Sequence, residues 1–136
     1  MKKILIAILL IICIQTKAQH SNIYKEVNIG VYVAGGQDFI FPGTSFLWGK
    51  TIHFSSNFLI DYEYGLALPT LFTGKIGCGI GNENNSLIAG VRPFPSSLYL
   101  QYTLKEKHLI STEIMYDQSA SNIYDLPLII NYGFRW

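Results

Sequence analysis

The feature that most constrains this chain is alternation. From about residue 27 onward, apolar residues take every second place against small or polar ones, and clusters of turn-forming residues break the pattern at short intervals. Side chains of a β-strand point alternately to the two faces of a sheet, whereas a helix repeats every 3.6 residues. The pattern predicts eight strands, at about 27–36, 44–53, 57–68, 71–81, 86–92, 97–104, 108–117 and 126–136. The breaks carry turn chemistry: Phe41-Pro42-Gly43, Ser55-Ser56, Leu68-Pro69-Thr70, Asn82-Glu83-Asn84-Asn85, Pro93-Phe94-Pro95-Ser96, Lys105-Glu106-Lys107 and Gln118-Ser119-Ala120-Ser121-Asn122. Connections this short imply consecutive antiparallel strands. The expected fold is all-β, an antiparallel up-and-down β-barrel of about eight strands.

The third strand shows the alternation best. Phe58, Ile60, Tyr62, Tyr64, Leu66 and Leu68 share one face; Leu59, Asp61, Glu63, Gly65 and Ala67 share the other. The first strand sets Val27, Ile29, Val31 and Val33 against Asn28, Gly30, Tyr32, Ala34 and Gly36. The fourth sets Phe72, Ile76, Cys78 and Ile80 against Thr73, Lys75, Gly77, Gly79 and Gly81.

A soluble barrel puts the apolar face inside; a membrane barrel puts it outside, toward lipid. Two features favour the second arrangement. Nine of the twelve glycines fall on the polar face: Gly30, Gly36, Gly49, Gly65, Gly77, Gly79, Gly81, Gly90 and Gly133. Glycine weakens a solvated strand, but the interior of a narrow barrel needs small residues beside large ones. The same face carries Asp61, Glu63 and Glu113 with Lys75, Arg92 and Arg135, three charges of each sign. Buried charges must be paired, so a balanced set suits a closed, ion-paired lumen without an open channel. The apolar face is rich in aromatic residues, among them Trp48, Tyr64, Phe72, Tyr132, Phe134 and Trp136, too many for so small an interior. Lys50 departs from the scheme by falling on the apolar face, which requires a position near a membrane interface or a bulge in the second strand.

The N-terminus is read as a secretory signal peptide over residues 1–19, with the barrel domain spanning 20–136. Lys2 and Lys3 precede an apolar run from Ile4 to Ile14, and Thr16-Lys17-Ala18 supplies small residues before a cleavage site. The run is shorter than the roughly 20 residues of a membrane-spanning helix. Cys13 follows Ile12, not the small residue a lipidation site wants. Without this segment seven basic residues face nine acidic ones, about −2, which argues against nucleic acid as a partner. Cys78 is then the lone cysteine, so no internal disulfide is expected. The Lys-Ala-Gln ending resembles signal peptides of Bacteroidota.

The final segment, Ile130-Asn131-Tyr132-Gly133-Phe134-Arg135-Trp136, resembles the C-terminal signature of bacterial outer-membrane β-barrels. In that family the last strand ends the chain, carries aromatics at alternate positions (here Tyr132, Phe134 and Trp136), and closes on an aromatic residue. The resemblance implies an outer-membrane location, contact with outer-membrane lipid and recognition by the barrel assembly machinery. The rest is similar in architecture to the small eight-stranded barrels, with shorter connections. Periplasmic termini would then place the turns near 54–56, 82–85 and 105–107 in the periplasm, and those near 37–43, 69–70, 93–96 and 118–125 outside.

Candidate chemistry is sparse. His20, His53, His108 and Cys78 lack metal-ligand spacing, and no cofactor is expected. Gly77-Cys78-Gly79-Ile80-Gly81 opens no helix, so it reads as strand packing and not as a phosphate loop. His53-Phe54-Ser55-Ser56-Asn57 is superficially similar to the His-x-Ser-Asn segment of lipid A deacylases, with Ser56 inserted and Glu63 as a nominal third member. His108 and Ser111 face opposite sides of one strand. The leading expectation is a small integral outer-membrane barrel with a plugged lumen, a structural or surface role and no catalysis. The alternatives are a soluble secreted or periplasmic barrel that holds an apolar ligand, and a lipid A acyl hydrolase.

Overall fold

Eight antiparallel strands close on themselves in sequence order in the computed structural model, which describes residues 20–33, 40–54, 57–68, 70–94, 96–116 and 126–136. They are β1 (His20–Val33), β2 (Ile40–His53), β3 (Phe58–Leu68), β4 (Leu71–Gly81), β5 (Asn85–Phe94), β6 (Ser97–Leu104), β7 (His108–Met115) and β8 (Leu128–Arg135). Every strand pairs with its neighbours in sequence, and β1 pairs with β8 from Glu26↔Arg135 to Val33↔Leu128 to complete the ring. The expected signal segment and the expected 118–125 connection lie outside the described residues.

Three departures from the sequence expectation have a physical reason. First, β1 starts at His20, not near residue 27. Its first residues pair with β2 alone, His20 opposite His53, so the strand overhangs the end of β8. Such a stagger accompanies strand tilt in a closed barrel. Second, Phe41-Pro42-Gly43 is not a turn. β2 runs through it, with Pro42 opposite Val31, and β3 joins only at Thr44↔Leu68. A strand segment paired on one side tolerates proline's missing N–H.

Third, β5 continues through Pro93 to Phe94. The register jumps from Ile76↔Val91 to Gly74↔Phe94, so two β5 residues, Arg92 and Pro93, oppose Lys75 alone. This bulge leaves Arg92 buried and turns Phe94 outward, 61% exposed, where strict alternation would send it inside. Two further strand ends differ by two residues: β7 stops at Met115 and not at 117, and β8 begins at Leu128 and not at 126.

The two faces differ in polarity as sharply as the alternation suggested. The large exposed side chains are apolar: Ile29, Tyr64, Leu66, Phe72, Leu98 and Ile110 are examples. Charged and polar groups fill the interior, where Glu26, Asp61, Glu63, Lys75, Gln101, Ser111 and Glu113 are buried. Hydrophobic residues are a minority inside; Leu59, Ile88 and Tyr99 form one small cluster. Lys50 stays on the outer face. The β2 register runs unbroken through it, opposite Ile23 and Tyr62, so no bulge rotates it inward.

Large inner side chains lie over inner glycines. A Cβ on Gly49 would meet the Tyr24 ring at 2.3 Å, and one on Gly77 would meet the Tyr99 hydroxyl at 2.5 Å. The glycines therefore supply room for the two tyrosines that cross the lumen.

Candidate functional site: the charged lumen and the aromatic band

Period-two geometry sends residues 24, 26 and 28 of β1 inward, together with 61 and 63 of β3, 75 of β4, 92 of β5, 113 of β7 and 135 of β8. These strands face one another across the barrel, so their side chains meet in the middle. The result is two ionic groups that join neighbouring strands, as Glu26 with Arg135 and Glu63 with Lys75, and also strands with no shared ladder, as Glu63 with Arg135 and Arg92 with Glu113.

The larger group centres on Arg135. Its Nε donates to Glu26 Oε2 at 2.6 Å, and one terminal nitrogen donates to Glu63 Oε1 at 2.7 Å and reaches Asp61 Oδ2 at 3.5 Å. The guanidinium also stacks 3.9 Å from the centroid of the Tyr24 ring. Lys75 enters from the other side, 3.4 Å from Glu63 Oε2 and 3.7 Å from Glu26 Oε1. Hydroxyls complete the shell: Tyr24 lies 2.8 Å from Asp61 and 2.9 Å from Glu63, and Thr51 donates to Asp61. Asn28 Nδ2 donates to Glu26 at 2.6 Å.

The smaller group is the Arg92–Glu113 ion pair, 2.7 Å long. Asn131 Nδ2 donates to Glu113 Oε1 at 3.0 Å, and the Ser97 hydroxyl donates to Glu113 Oε2 at 3.3 Å. Lys75 Nζ approaches Gln101 Oε1 at 3.5 Å and sits 5.5 Å from the Tyr99 ring, between the two groups.

All six lumen charges singled out by sequence are therefore interior, and the structure gathers Asp61, Glu63, Lys75 and Arg135 into one cluster and Arg92 with Glu113 into another. The expected balance does not hold. Glu26, missed because the first strand was begun too late, makes four carboxylates against three cations. Carrying the period-two pattern back from Asn28 through Glu26 and Tyr24 would have found both residues.

On the outer face the aromatic residues form a band. Tyr64 stacks on Trp48 (6.2 Å), Trp48 packs against Phe46 (4.7 Å), Phe46 against Trp136 (5.9 Å), and Trp136 against Phe134 (6.2 Å). His108 extends it, 5.5 Å from Phe134, with its Nδ1 2.6 Å from the Tyr132 hydroxyl. The C-terminal Tyr132, Phe134 and Trp136 thus all face outward. Trp136 is tied down by its backbone, exchanging two 3.0 Å hydrogen bonds with Lys25. Lys50 lies two residues beyond Trp48, toward the chain-end rim.

The deacylase-like segment is not assembled into a site among the described residues. Ser55 and Ser56 lie outside them, and Asn57 stands in a left-handed turn. His53 lines a cavity of about 280 Å³ at the rim, with Asn22, Thr51, Ser86, Thr103 and Lys107. Glu63 is committed to Arg135, Lys75 and Tyr24. No group of three or more metal-ligating side chains occurs among the described residues.

No protein-family model and no curated protein sequence matches the chain. Among solved structures, the chain is similar to Ail, the attachment invasion locus protein of Yersinia pestis, determined in complex with the heparin analogue sucrose octasulfate. The identity is 14%, the match covers 85% of this chain and 97% of that one, and the TM-score is 0.44.

Proposed function

We propose that this chain is a small integral outer-membrane β-barrel that spans lipid through its aromatic outer face, carries an ion-paired plug in its lumen, and has a structural or surface role without catalysis. The observation that carries this reading is the inverted polarity of the barrel. Charged residues are buried inside, while large hydrophobic side chains stand exposed outside. In water that outer face would be a patch far larger than a soluble monomer tolerates. In a bilayer it is the expected lipid contact, and closure pairs every strand on both sides apart from overhanging ends such as those of β1 and β2. A soluble barrel with an apolar ligand needs an apolar cavity, whereas this interior is lined mainly by polar and charged side chains.

The aromatic band supports the same reading, since Trp and Tyr favour the membrane–water interface. Lys50, beside that band, can extend its ammonium to water along its own stem. An outward-facing Tyr132-Phe134-Trp136 edge on the last strand offers the barrel assembly machinery its docking feature. The plug follows from eight-stranded geometry, in which side chains just fill the interior. Here Arg135, Lys75 and Arg92 tie opposite walls together.

Fractionation tests the location. The mature chain is expected in the outer-membrane fraction, extractable only with detergent and with heat-modifiable gel mobility; recovery in the soluble periplasm would sink the proposal. For the plug, planar-bilayer recordings are expected to show no steady conductance.

A further inference from the structure

The contacts around Tyr24 count one proton too few, and we propose that the lumen holds a buried proton-binding site on Asp61, with the proton shared toward Tyr24 and Glu63. The Tyr24 hydroxyl is 2.8 Å from Asp61 Oδ1 and 2.9 Å from Glu63 Oε1. One hydroxyl has one proton to give. If both acids were ionised, it would donate to one and set its oxygen lone pairs against the other. A proton on Asp61 resolves this. Asp61 Oδ1–H then donates to the tyrosine oxygen, and the tyrosine O–H donates to Glu63 Oε1. Thr51 and Arg135 still donate to Asp61 Oδ1 and Oδ2 as acceptors.

The charge count agrees independently. Arg92 and Glu113 neutralise each other at 2.7 Å. What remains is Arg135 and Lys75 against Glu26, Asp61 and Glu63, all deeply buried. Two cations cannot compensate three carboxylates, and an uncompensated buried charge takes up a proton instead. Donors are also short: Glu63 Oε2, in a residue 3% exposed, accepts no hydrogen bond and meets only the Lys75 ammonium at 3.4 Å.

Geometry selects Asp61 over its neighbours. Glu26 meets Arg135 at 2.6 Å and Lys75 at 3.7 Å; Glu63 meets the same two at 2.7 and 3.4 Å. Asp61 has a single cation, Arg135, at 3.5 Å, and otherwise neutral hydroxyls. The groups facing this site are Tyr24 and Glu26 from β1, Thr51 from β2, Glu63 from β3, Lys75 from β4, Tyr99 from β6 and Arg135 from β8. Arg92 on β5 and Glu113 on β7 form the neutral pair further along.

The test is infrared spectroscopy of the folded mature chain in detergent micelles at neutral pH. The expected result is the carbonyl stretch of a protonated carboxyl, shifting in D2O, in the unmodified protein. It should vanish in Asp61→Asn and persist in Glu83→Gln, which removes an exposed carboxyl from the turn between β4 and β5 and leaves the lumen charges unchanged. Absence of the band from the unmodified protein overturns the proposal without any variant having to fold, and so does its survival in Asp61→Asn. A second measurement reads the linkage. The folded chain holds a proton that the unfolded chain releases at neutral pH, so stability falls as pH rises, by up to tenfold in the unfolding equilibrium constant per pH unit. That slope should flatten in Asp61→Asn, which mimics the protonated acid; an equal slope in both proteins counts against the site.

Discussion

Arg135 and Glu63 stand 72 residues apart in the chain, on β8 and β3, and meet across the lumen at 2.7 Å. Because Arg135 also bonds Glu26 on β1 and reaches Asp61 on β3, one side chain next to the C-terminus ties three strands together. Arg135→Met leaves the buried carboxyl groups of Glu26, Asp61 and Glu63 with Lys75 as their one cation. Removing one partner from a buried ionic group costs about 3–5 kcal/mol. The variant should lose that much in denaturant unfolding from micelles. Arg135→Lys should recover only part of it, because an ammonium cannot reproduce the guanidinium's directed contacts to Glu26 and Glu63.

The Arg92–Glu113 pair makes a contrasting case, since it is self-contained. Glu113→Gln or Arg92→Met alone strands a buried charge and should destabilise by about 3–5 kcal/mol, whereas an apolar replacement of both partners should come out near neutral. A double-mutant cycle measures the difference. A double variant as unstable as either single one would show that the pair stabilises the barrel outright, and additive losses would show that the two groups do not interact.

How much of this was open to reading depends on what each residue has to do. Strand count, order and facing were legible because period two survives wherever one face meets lipid and the other a crowded lumen; β3, from Phe58 to Leu68, shows it without interruption. The start of β1 was not legible from its apolar pattern. Tyr24 and Glu26 face inward, as polar residues do throughout this barrel, and so they look like a loop before a strand. Pro42 and Pro93 read as turn residues because the ladder geometry that tolerates them exists only in three dimensions: a one-sided strand extension for the first and a bulge opposite Lys75 for the second. The lumen charges could be chosen by face, but their grouping could not, since it depends on which strands stand opposite after closure.

The tyrosine–glycine packing gives a test of lumen crowding. The three heavy atoms nearest a Cβ on Gly49 all belong to the Tyr24 side chain, two ring carbons and the hydroxyl oxygen, at 2.3–2.5 Å. Gly49→Ala should therefore destabilise by about 1–3 kcal/mol, the usual cost of overpacking. In a Tyr24→Leu background the same alanine should cost far less. The readout is the coupling between the two substitutions; an unchanged cost would mean that the backbone at Gly49, and not the ring, sets the requirement.

The C-terminal edge should matter for assembly more than for stability. Trp136 holds its place through backbone bonds to Lys25, and its ring lies on the outer face against Phe46 and Phe134. Trp136→Ala keeps the backbone bonds and removes the ring. Refolding into micelles should be little affected, while the yield of heat-modifiable barrel in the outer membrane should fall. A yield equal to that of the unmodified chain would remove the ring from the assembly signal.

Depth in the bilayer separates two outward-facing positions. Leu100 sits in the middle of β6, half exposed, opposite Ala89 and Thr112. Lys50 lies two residues past Trp48, near the rim. An arginine facing lipid costs about 2–4 kcal/mol at the midplane and about 0–1 near the interface. Leu100→Arg should therefore lower stability in lipid vesicles by the larger amount, and Lys50→Arg by little or nothing. In water such a change would be nearly neutral at both sites, because an exposed arginine needs no desolvation. Equal and small effects at Leu100 and Lys50 would mean that the aromatic face does not sit in lipid; a large difference ties the inverted polarity of the barrel directly to its surroundings.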